Sequence, residues 1–178
     1  GIKDLNEIEF SEKSKLKSIN LGMLAESQIT NIFIPSSVTK IHGCSILDDF
    51  KNLQKIEFGP NSKLQKIERY TFNNASINTI SIPSSVKEID EFAFCNCKNL
   101  QTIEFPINSE LKTIRKHAFS GTSIQKIEIP FQVENLDKEF FVNANQLITI
   151  DVAEDNPHYS VVDGLLLHHK EVLMFANR

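Results

Sequence analysis

The sequence predicts a β-rich solenoid, a chain wound into stacked coils, and three observations predict it. A Leu-x-x-Ile-x-Phe motif, or its aliphatic variant, recurs every 23 or 24 residues. Each copy is followed by a second, shorter apolar pair. Eight residues beyond the first member of that pair lies another large apolar side chain. A unit this short cannot bury its apolar side alone, so the units must stack.

The first motif occupies residues 5–10, 29–34, 53–58, 77–82, 100–105, 124–129 and 147–152. Its alternation predicts a short strand with the large positions inward and the third and fifth positions in solvent. The second pairs are Leu16/Ile19, Val38/Ile41, Leu64/Ile67, Val86/Ile89, Leu111/Ile114 and Val133/Leu136. The column eight residues on reads Leu24, Ile46, Phe72, Phe94, Phe119 and Phe141. The constant offset predicts an internal ladder of stacked side chains, mostly rings. Thirteen phenylalanines and no tryptophan suit that interior, because the ladder has no partner for an indole N–H.

Two kinds of corner alternate. The longer runs Phe58-Gly59-Pro60-Asn61-Ser62-Lys63-Leu64 and Phe105-Pro106-Ile107-Asn108-Ser109-Glu110-Leu111. The shorter runs Ile34-Pro35-Ser36-Ser37-Val38, Ile82-Pro83-Ser84-Ser85-Val86 and Ile129-Pro130-Phe131-Gln132-Val133. Proline directly after a strand denies the next ladder hydrogen bond and turns the chain. The serines cap the turn locally. The true repeat is therefore a pair of coils, about 47 residues long.

We expect one array over residues 1–178, with repeats at about 5–152 and a closing hairpin or capping insertion at about 153–178. Val161 to Leu167 and Val172 to Phe175 are β-prone around a polar His168-His169-Lys170-Glu171 turn, so the outer strand is expected to cover the last coil's open edge. The sequence opens Gly1-Ile2-Lys3-Asp4 and reaches its first repeat at Leu5, as a fragment of a longer protein would.

Composition narrows the function classes. Hydrophobic residues make up 40% and charged residues 24%, with a net charge of −4, so no basic field draws in nucleic acid or an anionic membrane. No apolar run has the length of about 20 residues that a membrane-spanning helix needs. Cys44, Cys95 and Cys97 are an odd set without zinc-knuckle spacing, and are expected to be buried thiols. No phosphate loop, Gly-x-Ser-x-Gly elbow or His-Glu-x-x-His pair occurs, so neither enzyme activity nor a catalytic, cofactor or metal site is expected. His168-His169 reads as a solvated turn whose side chains diverge, and Asn74-Ala75-Ser76 is a glycosylation sequon in a tight corner.

The strand surfaces are more informative. The fifth-position column reads Glu9, Phe33, Glu57, Ser81, Glu104, Glu128, Asp151, with Lys55 and Lys126 in the third-position column beside it. Stacked about 4.8 Å apart, Glu104, Glu128 and Asp151 would be like charges in a ladder, a cost that can mark a site for a basic partner. The same charges can equally serve to keep an open sheet soluble. Phe33 is the one aromatic expected to be exposed there, either as an anchor for a partner or beneath a preceding coil. The candidate contact residues are thus Phe33, Lys55, Glu57, Glu104, Lys126, Glu128 and Asp151. The second-pair face is lysine-rich, with Lys17, Lys40, Lys66, Lys87 and Lys112.

The elements Ile-Pro-Ser-Ser-Val-x-x-Ile, Phe92-Ala93-Phe94-x-x-Cys97-x-x-Leu100 and His117-Ala118-Phe119 resemble BspA-like, Treponema-type leucine-rich repeats over roughly residues 5 to 152. Residues 156–167 are similar to the strand-rich insertion such proteins carry between repeat blocks. Departures are Tyr70-Thr71-Phe72, Glu139-Phe140-Phe141, Ser45-Ile46 and Ala144 in the Cys position. The resemblance implies a leucine-rich-repeat solenoid of right-handed coils with short parallel strands and irregular or short helical corners, ending in a β-hairpin. It further implies a non-enzymatic adhesion or protein-binding module, on the cell surface or secreted, with host, matrix or other cell-surface proteins as partners. Neither nucleic acid nor membrane insertion of this segment is expected. A monomer is, with end-to-end stacking through the open first coil as the alternative. The competing reading is an intracellular structural or assembly scaffold, which the unpaired cysteines suit.

Overall fold

The computed structural model describes residues 4–25, 27–43, 50–144, 146–147 and 149–175. Cys44, Ser45, Ile46 and Ile148 therefore lie outside the described residues. The second apolar pairs build the continuous face of the solenoid. Its strands are β1 (Ser18–Asn20), β3 (Lys40–His42), β5 (Lys66–Ile67), β7 (Glu88–Ile89), β9 (Thr113–Ile114) and β11 (Asn135–Leu136), all parallel and in that order. Ile19, Ile41, Ile67, Ile89, Ile114 and Leu136 line up in register and face the core.

The motif strands form the opposite face, and here the ladder is interrupted. β2 (Asn31–Ile34) pairs with β4 (Lys55–Phe58), β6 (Thr79–Ser81) with β8 (Thr102–Glu104), and β10 (Lys126–Ile129) with β12 (Thr149–Val152). No ladder joins β4 to β6 or β8 to β10. Proline weakens these junctions but does not by itself set the alternation, since Pro106 holds the same place at the paired β6–β8 junction. At a paired junction the residue after the strand donates to the preceding coil, as Gly59 N–H does to Ile34 O (2.8 Å) and Ala153 N–H to Ile129 O (2.9 Å). At the unpaired junctions that residue is Pro83 or Pro130, which has no N–H to give. Pro106 likewise shortens the β6–β8 pair to three residues. The expected unbroken outer column is thus corrected: its ladder partners are Phe33–Glu57, Ser81–Glu104 and Glu128–Asp151 only.

Between the two faces runs the ring ladder. Centroids of Phe72 and Phe94 lie 5.4 Å apart, Phe94 and Phe119 5.5 Å, and Phe119 and Phe141 5.4 Å, all buried. Phe140 meets Phe141 edge-on at 4.8 Å. Cys97 is fully buried and its thiol donates to Phe72 O (3.1 Å), so the small sulfur bonds as well as fills space. Burial pushes both the Cys97 and Cys95 thiols above their ordinary pKa, and both are free.

The third side of each coil is a run of consecutive turns. Residues four apart take a left-handed backbone, Tyr70 and Asn74, Phe92 and Asn96, His117 and Gly121, with Asn143 in the next coil, all with φ near +60° to +70°. This geometry lets every second N–H point along the stack. Phe72 N–H donates to Ala93 O, Phe94 to Ala118 O, and Phe119 to Phe140 O, at 2.8–2.9 Å. Asn74, Asn96 and Gly121 do the same toward Cys95, Ser120 and Val142. Asparagine is the side chain that best tolerates this conformation, so its recurrence at one turn position is a backbone requirement.

The ends differ from the middle. Residues 5–10 carry the first motif but form no strand, and Leu16, expected inside, is 42% exposed. Leu16 has described neighbours on one side only. At the other end the expected hairpin is a three-stranded antiparallel sheet of β13 (Tyr159–Val162), β14 (Leu165–His168) and β15 (Glu171–Phe175). It closes the continuous face through Tyr159. The buried phenol accepts from Leu136 N–H (2.8 Å) and lies 3.4 Å from Glu134 O. Asn156 secures the approach, donating to Pro130 O (2.9 Å) and accepting from the His158 and Tyr159 N–H groups.

Candidate functional site

The two strand faces treat their charges differently. On the continuous face, Lys66 lies 3.1 Å from Glu88 and 2.7 Å from Asp90, and Arg115 bonds Glu88 and reaches Asp90 at 3.6 Å. Lys40–Glu68, Arg69–Glu91, Lys87–Glu110 and Lys116–Glu139 extend the pattern from coil to coil. Burial works against the charge on Lys66, but hydrogen bonds to Asp90 and Glu88 hold its ammonium above the ordinary pKa. Burial also opposes ionisation of Asp90, and Lys66, the Glu91 N–H and Arg115 outweigh it, leaving the carboxyl below its ordinary value. The lysine-rich flank read from the sequence is therefore largely an ion-pair network with its own carboxylates.

The interrupted face keeps more of its charge for solvent. Lys55 pairs with Glu57 along one strand (2.9 Å), and Lys126 pairs with Asp151 across β10 and β12 (2.7 Å). Hydrogen bonding to Asp151 raises the Lys126 pKa. Glu128 stands opposite Asp151 in register, so one like-charge ladder pair exists, with Lys126 beside it. Glu104 is exposed, pairs with Ser81 in the ladder, and makes no ion pair among the described residues. Phe33, expected to be exposed, is half-buried. A Cβ on Gly59 would lie 2.7 Å from Ser36 N and 3.3 Å from the tip of the Phe33 ring, so the close approach of the two backbones is what requires glycine there.

Grooves open where the ladder breaks. At the β4–β6 junction a shallow groove of about 370 Å³ is lined by Phe58, Ile82 and Pro83 together with Glu57, Asn61, Ser62, Ser81 and Ser84. At the β8–β10 junction its counterpart reaches about 730 Å³ and is lined by Phe105, Pro106, Ile107, Pro130 and Phe131, with Glu104, Glu128 and Glu154 around it. Ile107 is fully exposed and Phe131 is 50% exposed. The structure thus brings Glu104 and Glu128 to one groove, whereas Phe33, Lys55 and Glu57 lie two or more coils away. Sequence reasoning passed over Ile107 and Phe131. The signal was present: Phe131 stands where the other short corners have Ser36 and Ser84, and Ile107 where the other long corner has Pro60.

Two further clusters were not read from the sequence. Outside the ring ladder, Tyr70 stacks on Phe92 and Phe92 on His117, each at 5.0 Å, with the Arg69 guanidinium 5.0 Å from the Tyr70 ring and 5.5 Å from Phe92. In the terminal sheet, His168 stacks on Tyr159 at 4.8 Å and lies 4.3 Å from His169, which is 5.6 Å from His158. The two adjacent histidines therefore do not diverge; His169 and Lys170, both with left-handed backbone, form the β14–β15 turn beside them. Burial, and then the neighbouring imidazoles, lower the His168 pKa. Among the described residues no group of three or more His, Cys, Asp or Glu side chains is arranged to hold a metal ion.

Known proteins match this geometry. The pneumococcal vaccine antigen PcpA superposes with a TM-score of 0.70 at 30% identity, over 79% of this chain and 34% of PcpA. A leucine-rich cell surface protein of Faecalibacterium prausnitzii gives a TM-score of 0.61 at 23% identity, over 86% of this chain and 46% of that one. A leucine-rich repeat protein of Bacteroides ovatus gives 0.65 at 20% identity, over 83% and 43%. The chain spans less than half the length of each of these, and the latter two likenesses bear on the fold alone. Among curated proteins none matches. The BspA type leucine rich repeat region matches in six copies across residues 1–67 and 17–149, and the chain belongs to that family.

Proposed function

We propose that this chain is a non-enzymatic protein-binding module of a surface protein, and that it engages its partner through the interrupted strand face. The contrast between the faces supports this reading. On the continuous face lysines, arginine and carboxylates neutralise one another, whereas Glu104 and Glu128 on the interrupted face lack a cross-strand cation. Phe33, Lys55, Glu57, Lys126 and Asp151 extend that surface along the stack. A surface location is part of the proposal and is supported by the family. Attachment to host or matrix proteins follows from the family resemblance and is part of the proposal. Free Cys95 and Cys97 suit the second reading, an intracellular assembly scaffold.

The test is solid-phase binding of the chain to immobilised matrix proteins and to intact host cells. Saturable binding is expected, with a marked loss on the double change Glu104→Lys, Glu128→Lys. Binding that survives this change but is lost on Lys40→Glu, Lys87→Glu would place the contact on the other face. Binding to none of these surfaces would favour the scaffold.

A further inference from the structure

The groove at the β8–β10 junction carries a more specific reading. Its equivalent at β4–β6, one super-repeat earlier, is half the size and has fewer apolar residues in its lining, although the ladder is broken at both places. What distinguishes the larger groove is a pair of surface substitutions. Ile107 and Phe131 replace residues that contribute nothing to the core, and they leave apolar area in water that folding does not require. The two line one concavity together with Pro106, and Glu104, Glu128 and Glu154 line it as well. Glu104 and Glu154 make no ion pair among the described residues. Exposed apolar side chains rimmed by uncompensated carboxylates describe a socket for an apolar side chain flanked by cations.

We infer that this groove docks an extended, basic segment of a partner protein. An aliphatic or aromatic side chain of that segment packs between Ile107 and Phe131, and flanking lysines or arginines meet Glu104, Glu128 and Glu154. The inference rests on the protein-binding reading and narrows it to one socket and one class of ligand. A second copy of this chain is a poorer occupant, because it carries a net charge of −4 and most of the lysines on its continuous face are already paired.

The groove can be filled or emptied without touching the fold, since both side chains project from the surface. A random peptide library is panned against the chain, with the double variant Ile107→Ser, Phe131→Ser as counter-selection. Recovered peptides are titrated by fluorescence anisotropy at low and high salt. The expected result is a set rich in lysine or arginine around one large apolar residue. Its affinity should fall at least about tenfold with Phe131→Ser and weaken with salt. Peptides lacking that composition, peptides that bind the double variant equally well, or no recovered peptides at all would overturn the inference. So would concentration-dependent dimerisation abolished by Phe131→Ser, which would make a second copy the occupant. Binding to matrix proteins that survives Phe131→Ser but fails with Glu104→Lys, Glu128→Lys would remove the socket and leave the broader reading standing.

Discussion

The Tyr159 hydroxyl occupies the place of the next strand: it accepts the Leu136 N–H at 2.8 Å, at the end of a six-stranded sheet. A parallel sheet ends in unpaired backbone groups that would template another chain. Here a single buried phenol answers the strand's edge donor. Tyr159→Phe keeps the ring and its stack on His168 but leaves Leu136 N–H without a partner. The expected cost is about 1 to 3 kcal/mol, measured by denaturant unfolding, with faster amide exchange at Leu136 than at Ile114. Unchanged exchange at Leu136 would show that the phenol is not the cap.

The ring ladder sets a second expectation. Phe94 has a ring on each side, at 5.4 Å and 5.5 Å, so its removal opens a cavity that neither neighbour can fill alone. Phe94→Ala is expected to cost about 3 to 5 kcal/mol. A loss well under 1 kcal/mol would contradict a close-packed ladder.

Gly121 separates backbone strain from crowding. It has φ of +70°, and an added Cβ would lie 2.7 Å from Asn96 Oδ1, the movable end of a side chain. Since Asn74, Asn96 and Asn143 hold the same conformation in other coils, Gly121→Asn should be milder than Gly121→Ala, and Gly121→Val worse than both. The β-branched variant is expected to lose about 1 to 3 kcal/mol. Melting temperatures in any other order would mean that contact with Asn96, not φ, controls the site.

The terminal sheet should weaken in acid. His168 is held below its ordinary pKa, chiefly by burial and then by His169 and His158, with Glu171 opposing. The unfolded chain therefore binds the proton more readily. This contribution is fully present above about pH 6.5 and is lost as the pH falls through the folded value. Melting temperature should drop between about pH 7 and pH 5, and His168→Gln should flatten the drop. A rise in stability over that range would reverse the assigned sign.

Much of the fold was legible because the solenoid repeats its chemistry at fixed offsets. The offset of eight that aligns Phe72, Phe94, Phe119 and Phe141 is visible in the letters, and it is the ladder found. The interruption of the outer face was not legible: proline after the strand reads as a turn at paired and unpaired junctions alike, and which strands pair appears only when the coils are stacked. The same holds for Tyr159, whose partner lies 23 residues away in a different sheet. The carboxylate column was read as continuous because period alone cannot tell a paired junction from an unpaired one. Ile107 and Phe131 were missed because attention went to the residues that repeat, whereas those two depart from the repeat.

The left-handed turns give the molecule a direction. In a β-ladder successive peptide dipoles nearly cancel. In the turn column the inter-coil N–H groups of Phe72, Phe94 and Phe119 all point toward the C-terminal coils, so their dipoles add along the axis. The N–H end of that column therefore favours anions. In the last coil Asp137 Oδ1 accepts the Glu139 N–H at 2.8 Å, a carboxylate seated at the positive pole.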